Sequence, residues 1–384
     1  MNRCTRAFIY KDNIKFNLEQ IRKYVNPSVK LCVAVKADAY GHNAVLTSKI
    51  AEEAGYEYLA VASVDEGIEL RKNGIKAKIL LLSLSTPEEM TDFFKYDITP
   101  LVFSHEYIGE LIKASDSYFK DQTKFEVFLA VDTGMGRIGT YPETAGDEAV
   151  LINSSAHLKL AGMCTHLAVS DSLSPSDQEF TDDQFKAFKL AVENVRAKGI
   201  DPGICSCEAS AGLLNNPEMQ MDMVRPGIIA YGYYPDEITE KYLKSKGFSL
   251  KLKPCLSLET KVVAIRSFPA GKSVSYGRTW ETPCDTDIAV LPIGYADGLL
   301  RRFSPGLTVT INGKNYPVVG RICMDQCMVD IGKNNPDVKL WDRVVIFGPE
   351  ESGALNTADD LAKIGNTISY EVLTCLKRVE KDIR

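Results

Sequence analysis

The sequence predicts an α/β protein in two parts, an N-terminal (β/α)8 barrel followed by a mostly antiparallel β domain. Three observations lead there. Eight short apolar runs recur through the first 232 residues, with helix-like stretches between them. After about residue 235 the pattern changes to short β-branched runs broken by Gly, Pro and Asn. A length of 384 residues exceeds one small module and suits a barrel with an appended domain. The expected division places residues 1–240 in the barrel and 241–384 in the β domain.

The eight runs are 31–37, 58–63, 79–83, 98–103, 125–132, 158–167, 204–210 and 223–232. Several are near-continuous Val, Ile, Leu and Ala, as expected of strands covered on both faces. The clearest helix between them is 176–198. There Phe185, Phe188, Val192 and Val195 recur at three- and four-residue steps, and Gly199 closes the segment. Another is 43–54, closed by Gly55. Strand alternating with helix implies a parallel sheet, and eight repeats imply closure into a barrel. The later runs are 256–266, 287–292, 307–311, 316–319, 328–331 and 343–347. Asn312-Gly313 between two of them predicts a hairpin. Of the tail, only 357–364 reads as helical.

Composition narrows the function. Hydrophobic residues make up 45% and charged residues 25%, the balance of a folded soluble enzyme rather than a disordered chain. The net charge of −6 argues against a partner held by nucleic-acid phosphates. Apolar stretches such as 79–82 are far too short to span a bilayer, so no membrane partner is expected. Residues 1–17 lack the apolar centre of a signal peptide, and a cytoplasmic location is expected. The ten cysteines then read as free thiols. Cys205 with Cys207, and Cys323 with Cys327, lack CxxC spacing and a nearby His, so no metal site is expected.

The residues that carry chemistry fall at the ends of the predicted barrel strands, the face where barrel active sites lie. Lys36 follows Val33-Ala34-Val35. A desolvated Lys there can form a Schiff base, and a Lys snorkelling to solvent is the plainer alternative. Tyr40 and Gly41 follow it closely. Residues 132–139 contain a literal G-x-G-x-x-G, but after the fifth strand rather than the first. It reads as a turn presenting Arg137 to a carboxylate, not as a dinucleotide site. His166 ends the sixth run, where a structural and a catalytic role are equally open. Ser210, with the amides of Gly227 and Ile228, suits the phosphate site that barrels build after strands seven and eight, or ordinary turn chemistry. Arg225 lies beside it.

Taken together, the segments resemble the alanine racemase family, whose members use pyridoxal phosphate (PLP). The resemblance rests on Val-Ala-Val-Lys-Ala-Asp-Ala-Tyr-Gly-His at 33–42, Asp-Thr-Gly-Met-Gly-Arg-Ile-Gly at 132–139 and Met-Val-Arg-Pro-Gly-Ile at 223–228. It continues with Val-Ser-Tyr-Gly at 274–277, Gly-Tyr-Ala-Asp-Gly at 294–298 and Gly-Arg-Ile-Cys-Met-Asp-Gln at 320–326. It implies a PLP-binding barrel, a β domain and a homodimer with shared active sites. It implies that Lys36 carries PLP, and that Tyr40, Ser210, Gly227, Ile228 and Tyr370 hold its phosphate. Arg225 would meet the pyridine nitrogen, with His166 bonded behind it. Arg137 and the Met324 backbone would take the substrate carboxylate. Tyr276 of the partner subunit would be the second base, and Tyr295, Arg301, Arg321 and Asp325 would line the entrance.

Three positions depart from the family pattern. Ala130 stands where relatives often carry a carbamylated Lys, and Ala209 where Asn is common. The segment 377–380 reads Lys-Arg-Val-Glu in place of Arg-Val-Pro-Arg. These leave serine, lysine or ornithine open as substrates beside alanine; a PLP-dependent decarboxylase, which shares the barrel and the Lys, is the rival activity. Tyr370 favours a small side chain.

Overall fold

The computed structural model describes residues 3–384. Eight parallel strands form the first part: Lys30–Ala34, Tyr58–Val61, Lys78–Leu81, Ile98–Val102, Phe125–Ala130, Leu158–Cys164, Ile204–Ser206 and Met223–Val224. Each falls within, or begins one residue before, one of the eight apolar runs. Their side chains are almost wholly buried, as the continuous apolar pattern requires. The eighth strand pairs with the first, Lys30 with Met223 and Leu31 with Val224. Strands seven and eight meet through Asp222 N to Cys205 O (3.0 Å) and Arg225 N to Glu208 O (2.9 Å), which completes the ring. The eighth strand is short because Pro226 has no N–H to donate to a ladder.

Helices cover the outside. Pro175–Ala197 follows the expected segment and buries Phe188, Val192 and Val195. It starts at Ser174, whose hydroxyl accepts the Asp177 N–H, with Pro175 in the first turn where its missing N–H costs nothing. Ala44–Glu53 is capped by the Asn43 side chain.

The second part is a curled nine-stranded sheet. Its order is Ala264–Phe268, Thr286–Leu291, Cys327–Asp330, Lys314–Val319, Thr308–Ile311, Arg343–Phe347, Leu256–Lys261, Arg6–Ile9 and Glu380–Ile383. Asn312 and Gly313 both take positive φ (48° and 78°), as a two-residue hairpin turn demands. Only the last pair of strands is parallel. The strand Arg6–Ile9, counted with the barrel in the sequence division, belongs to this sheet, paired with Leu256–Lys261 and Glu380–Ile383. A second tail helix, Ser369–Thr374, follows the expected one at Ala358–Ile364. No helix among the described residues is long and apolar enough to cross a membrane.

Candidate active site

The first barrel strand ends at Ala34, and Lys36 opens a turn of unusual hand. Ala37, Asp38, Ala39 and Tyr40 all have φ between 52° and 54°, one turn of left-handed helix without a glycine in it. Each such residue costs about 1–2 kcal/mol, so the turn persists only where its surroundings hold it. Four contacts do. Glu66 Oε1 accepts the Ala37 N–H at 2.6 Å. Asp38 Oδ1 accepts the Ala44 N–H at 2.8 Å, and its other oxygen is paired with Lys381 from the last strand. The buried His42 ring donates from Nδ1 toward the carbonyls of Ala39 (3.0 Å) and Tyr40 (2.9 Å). Gly41 lies so close to the helix Ser369–Thr374 that a Cβ there would stand 2.6 Å from Leu373 O.

The turn aims Lys36 and Tyr40 into a cavity of about 400 Å³ at the C-terminal end of the barrel strands. Arg137, His166, Ser210, Arg225, Gly227, Ile228 and Tyr370 line the same cavity. Nine of the expected residues therefore meet in one place. At one end the Gly227 N–H donates to Ser210 Oγ at 2.8 Å. A Cβ on Gly227 would stand 3.0 Å from Tyr40 Oη and 3.7 Å from Ser210 Oγ, so the space between two hydroxyls and a backbone exists because residue 227 has no side chain. Tyr40 is braced by Tyr231 (5.0 Å between ring centres) and Tyr370 (5.8 Å). The donor set, hydroxyls and an amide around a hollow, fits a phosphate group.

Arg225 is buried and bonded only to neutral groups: Ser206 Oγ, Thr165 O at 2.6 Å and Cys207 O at 3.4 Å. Among the described residues these three groups, and not the His166 ring, are the hydrogen-bond partners of the Arg225 guanidinium. Ser206 points inward from the seventh strand and takes the place beside the guanidinium. Burial, then the positive charges of Arg225, Arg137 and Lys36, push His166 down to about 3, so its ring is neutral at neutral pH. Burial lowers the Lys36 ammonium below its ordinary value; Arg137 and Arg225 lower it further, and Glu66 opposes them. The site thus shifts Lys36 toward the free amine relative to an exposed lysine, the form that attacks a carbonyl or takes up a proton.

Arg137 extends from the turn 132–139, where Asp132 Oδ1 accepts the Gly134 and Gly136 N–H groups, both at 3.0 Å. Its guanidinium is exposed and has no ion-pair partner among the described residues. Ala130, at the end of the fifth strand, lines the cavity with a methyl group.

The remaining expected residues lie on the β domain and not in this cavity. Ser273–Val274 and Trp280–Glu281 form a short hairpin whose tip presents Tyr276, 65% exposed. Tyr276, Met324 and Asp325 line a separate hollow of about 660 Å³. Three motifs are tied together there. Ser275 Oγ donates to Arg321 O at 2.5 Å, and the amides of Tyr295 and Ala296 donate to the Cys323 and Met324 carbonyls, both at 3.0 Å. The Arg321 guanidinium lies across Gly277, and Arg301 stands exposed nearby in sequence to Tyr295. Asp325 is paired with Arg378 at 2.7 Å, and Arg378 also reaches the fully buried Asp297 at 2.7 Å, which Arg3 holds from another side at 2.6 Å. One chain therefore holds the expected residues in two separate places: a cavity with the amine and cradle, and an exposed phenol on a braced loop.

Glu66, Tyr231 and Ser206 were not singled out from the sequence. Ser63-Val64-Asp65-Glu66 is legible as a helix-capping box, which the structure contains. Its second use, on the Ala37 amide, carries no local signal.

Sequence profiles of the alanine racemase N-terminal and C-terminal domains match residues 9–235 and 255–383. The alanine racemase of Treponema denticola is 47% identical over 375 residues, 97% of this chain and 96% of that protein. That of Clostridium kluyveri is 39% identical over 368 residues, covering 96% and 90%. Among solved structures, an alanine racemase of Clostridium difficile 630 superposes with a TM-score of 0.90 at 38% identity, covering 100% of this chain and 96% of that one. An alanine racemase from Bacillus anthracis with bound L-Ala-P gives 0.89 at 33%, covering 100% and 96%.

Proposed function

Because this chain belongs to the alanine racemase family, we propose that it interconverts L- and D-alanine with PLP held on Lys36. The observation that carries this reading is the meeting of Lys36, the Tyr40–Ser210–Gly227 cradle and the buried Arg225 in one barrel mouth. Tyr40, Ser210, Gly227, Ile228 and Tyr370 would hold the phosphate. Bound there, PLP supplies the electron sink that makes a substrate Cα–H bond acidic.

The chain's own groups do the rest. Arg225 would meet the pyridine nitrogen as a permanent donor, which would leave that nitrogen without a proton and limit how strongly the ring withdraws electrons. Its bonds to Ser206, Thr165 and Cys207 fix it in that role. Racemisation needs a proton-transfer group on each face of Cα. Lys36 Nζ serves one face, and Tyr276 of the partner subunit serves the other. The homodimer is supported by the separation of the two halves within one chain and by the exposure of Tyr276 and Met324. Arg137 and the Met324 backbone bind the substrate carboxylate. Tyr295, Arg301, Arg321 and Asp325 form the entrance between subunits. All ten cysteines are unpaired, which suits a reducing compartment, and we place the enzyme in the cytoplasm.

The Tyr370 ring beside Tyr40 narrows the cavity and favours alanine over serine, lysine or ornithine. Incubating the PLP-loaded protein with each L-amino acid and following optical rotation tests this. Alanine should lose rotation fastest, with no CO2 released. Release of CO2 without racemisation would replace this reading with a decarboxylase.

Ala130 offers Arg137 no charged group from the end of the fifth strand. Ala130→Lys supplied with bicarbonate should change KM for alanine by about threefold or more, through a charged group that orients the guanidinium. The unfolding midpoint should move by less than about 4 °C. A KM indifferent to bicarbonate would show that Arg137 needs no such partner.

A further inference from the structure

We propose that Glu66 is a positioning residue for Lys36, tying the strained turn that carries it to the neighbouring strand and setting a negative charge beside its ammonium. The carboxylate is divided between two tasks. Oε2 accepts the N–H groups of Ala62 (2.7 Å) and Ser63 (3.3 Å), which closes the capping box of the helix Val64–Lys72. One oxygen is enough for that box. Oε1 leaves the helix and accepts the Ala37 N–H at 2.6 Å, directly after Lys36. Glu66 thereby bridges the ends of the first and second barrel strands at the first residue of the left-handed turn.

The charge matters because of what else faces Lys36. Arg137 comes from the loop after the fifth strand, Arg225 from the eighth, and the neutral His166 ring from the sixth. Glu66, from the helix after the second strand, is the acid among them and acts against both guanidinium groups. A Gln at 66 would remove the charge and would also put an NH2 group against one set of N–H donors. Asp would keep the charge but fall short of Ala37.

The proposal rests on Lys36 being the cofactor lysine, and the test separates the two ideas. The full chain, freed of cofactor, is pulse-labelled with acetic anhydride across the titration of Lys36, and labelling is read by peptide mass spectrometry. In Glu66→Gln the half-labelling pH of Lys36 should fall by roughly 0.5–1 unit, because a nearby opposite charge is lost. Glu66→Asp should restore most of that shift. In the PLP-loaded enzyme the acid limb of kcat should move in the same direction. An unchanged Lys36 titration in folded Glu66→Gln would overturn the charge role. In the unaltered chain the Ala37 amide should exchange its hydrogen at least about tenfold slower than an open amide. An unprotected Ala37 amide would overturn the tie, with no substitution needed. Borohydride fixation of PLP on another lysine would instead sink the cofactor assignment.

Discussion

Lys36→Ala should abolish racemisation, by at least about 10³-fold, because it removes both the covalent anchor and one of the two proton-transfer groups. The bound PLP should lose its lysine-linked visible absorption. The fold should survive. Lys36 is partly buried and feels the charges of Arg137 and Arg225, so its ammonium is disfavoured there. The sign of the linkage follows. In the cofactor-free chain the folded state binds fewer protons than the unfolded one between the lowered Lys36 value and the ordinary 10.5, so stability rises with pH across that window. Lys36→Ala should flatten this rise and should not lower the unfolding midpoint near neutrality. Recovery of a borohydride-fixed PLP adduct on another lysine of the variant would refute the assignment.

Mixing two dead variants should restore activity. Lys36→Ala and Tyr276→Phe each spoil one half of every site if the site is built from a cavity of one subunit and a phenol of the other. Unfolded together and refolded in equal amounts, about half of the dimers should be mixed by random pairing. Each mixed dimer has one site with both defects and one with neither. Activity should therefore return to roughly a quarter of wild type. Sedimentation and subunit-exchange measurements establish that mixed dimers form. If they form and the mixture stays as inactive as its parents, both groups come from a single chain and the shared site is wrong.

The barrel was legible because its strands are covered on both faces, which forces continuous apolar runs such as those that become Tyr58–Val61 and Ile98–Val102. The cavity residues were legible as a set because barrel chemistry gathers at strand ends. The hand of the Lys36 turn was not. Nothing in Ala37, Asp38, Ala39 or Tyr40 favours positive φ over right-handed or extended backbone. Distant partners impose it: Glu66, His42, Lys381 and the helix Ser369–Thr374. That helix was itself missed, since it has only six residues and no side-chain cap. Arg225 was expected to lean on His166. Its strand-borne partners, a hydroxyl and two carbonyls, depend on the inward direction of Ser206 and on backbone that carries no residue-specific mark. The membership of Arg6–Ile9 escaped for a related reason, because an isolated four-residue strand gives no sign of which sheet it will join.

That strand has a further consequence for how the chain is made. Arg6–Ile9 is made before either of its neighbours, the antiparallel Leu256–Lys261 and the parallel Glu380–Ile383. The Arg6 guanidinium meets Glu380 at 2.7 Å across 374 positions of sequence. The eight barrel strands can close while this segment waits, with its edges unpaired, until Leu256–Lys261 is made. Loop closure over such a span is slow, and an open strand edge is adhesive in the interval. The nascent protein should therefore pass through a stage with a finished barrel and an unfinished sheet. During that stage the unpaired edge of Arg6–Ile9 is an adhesive surface.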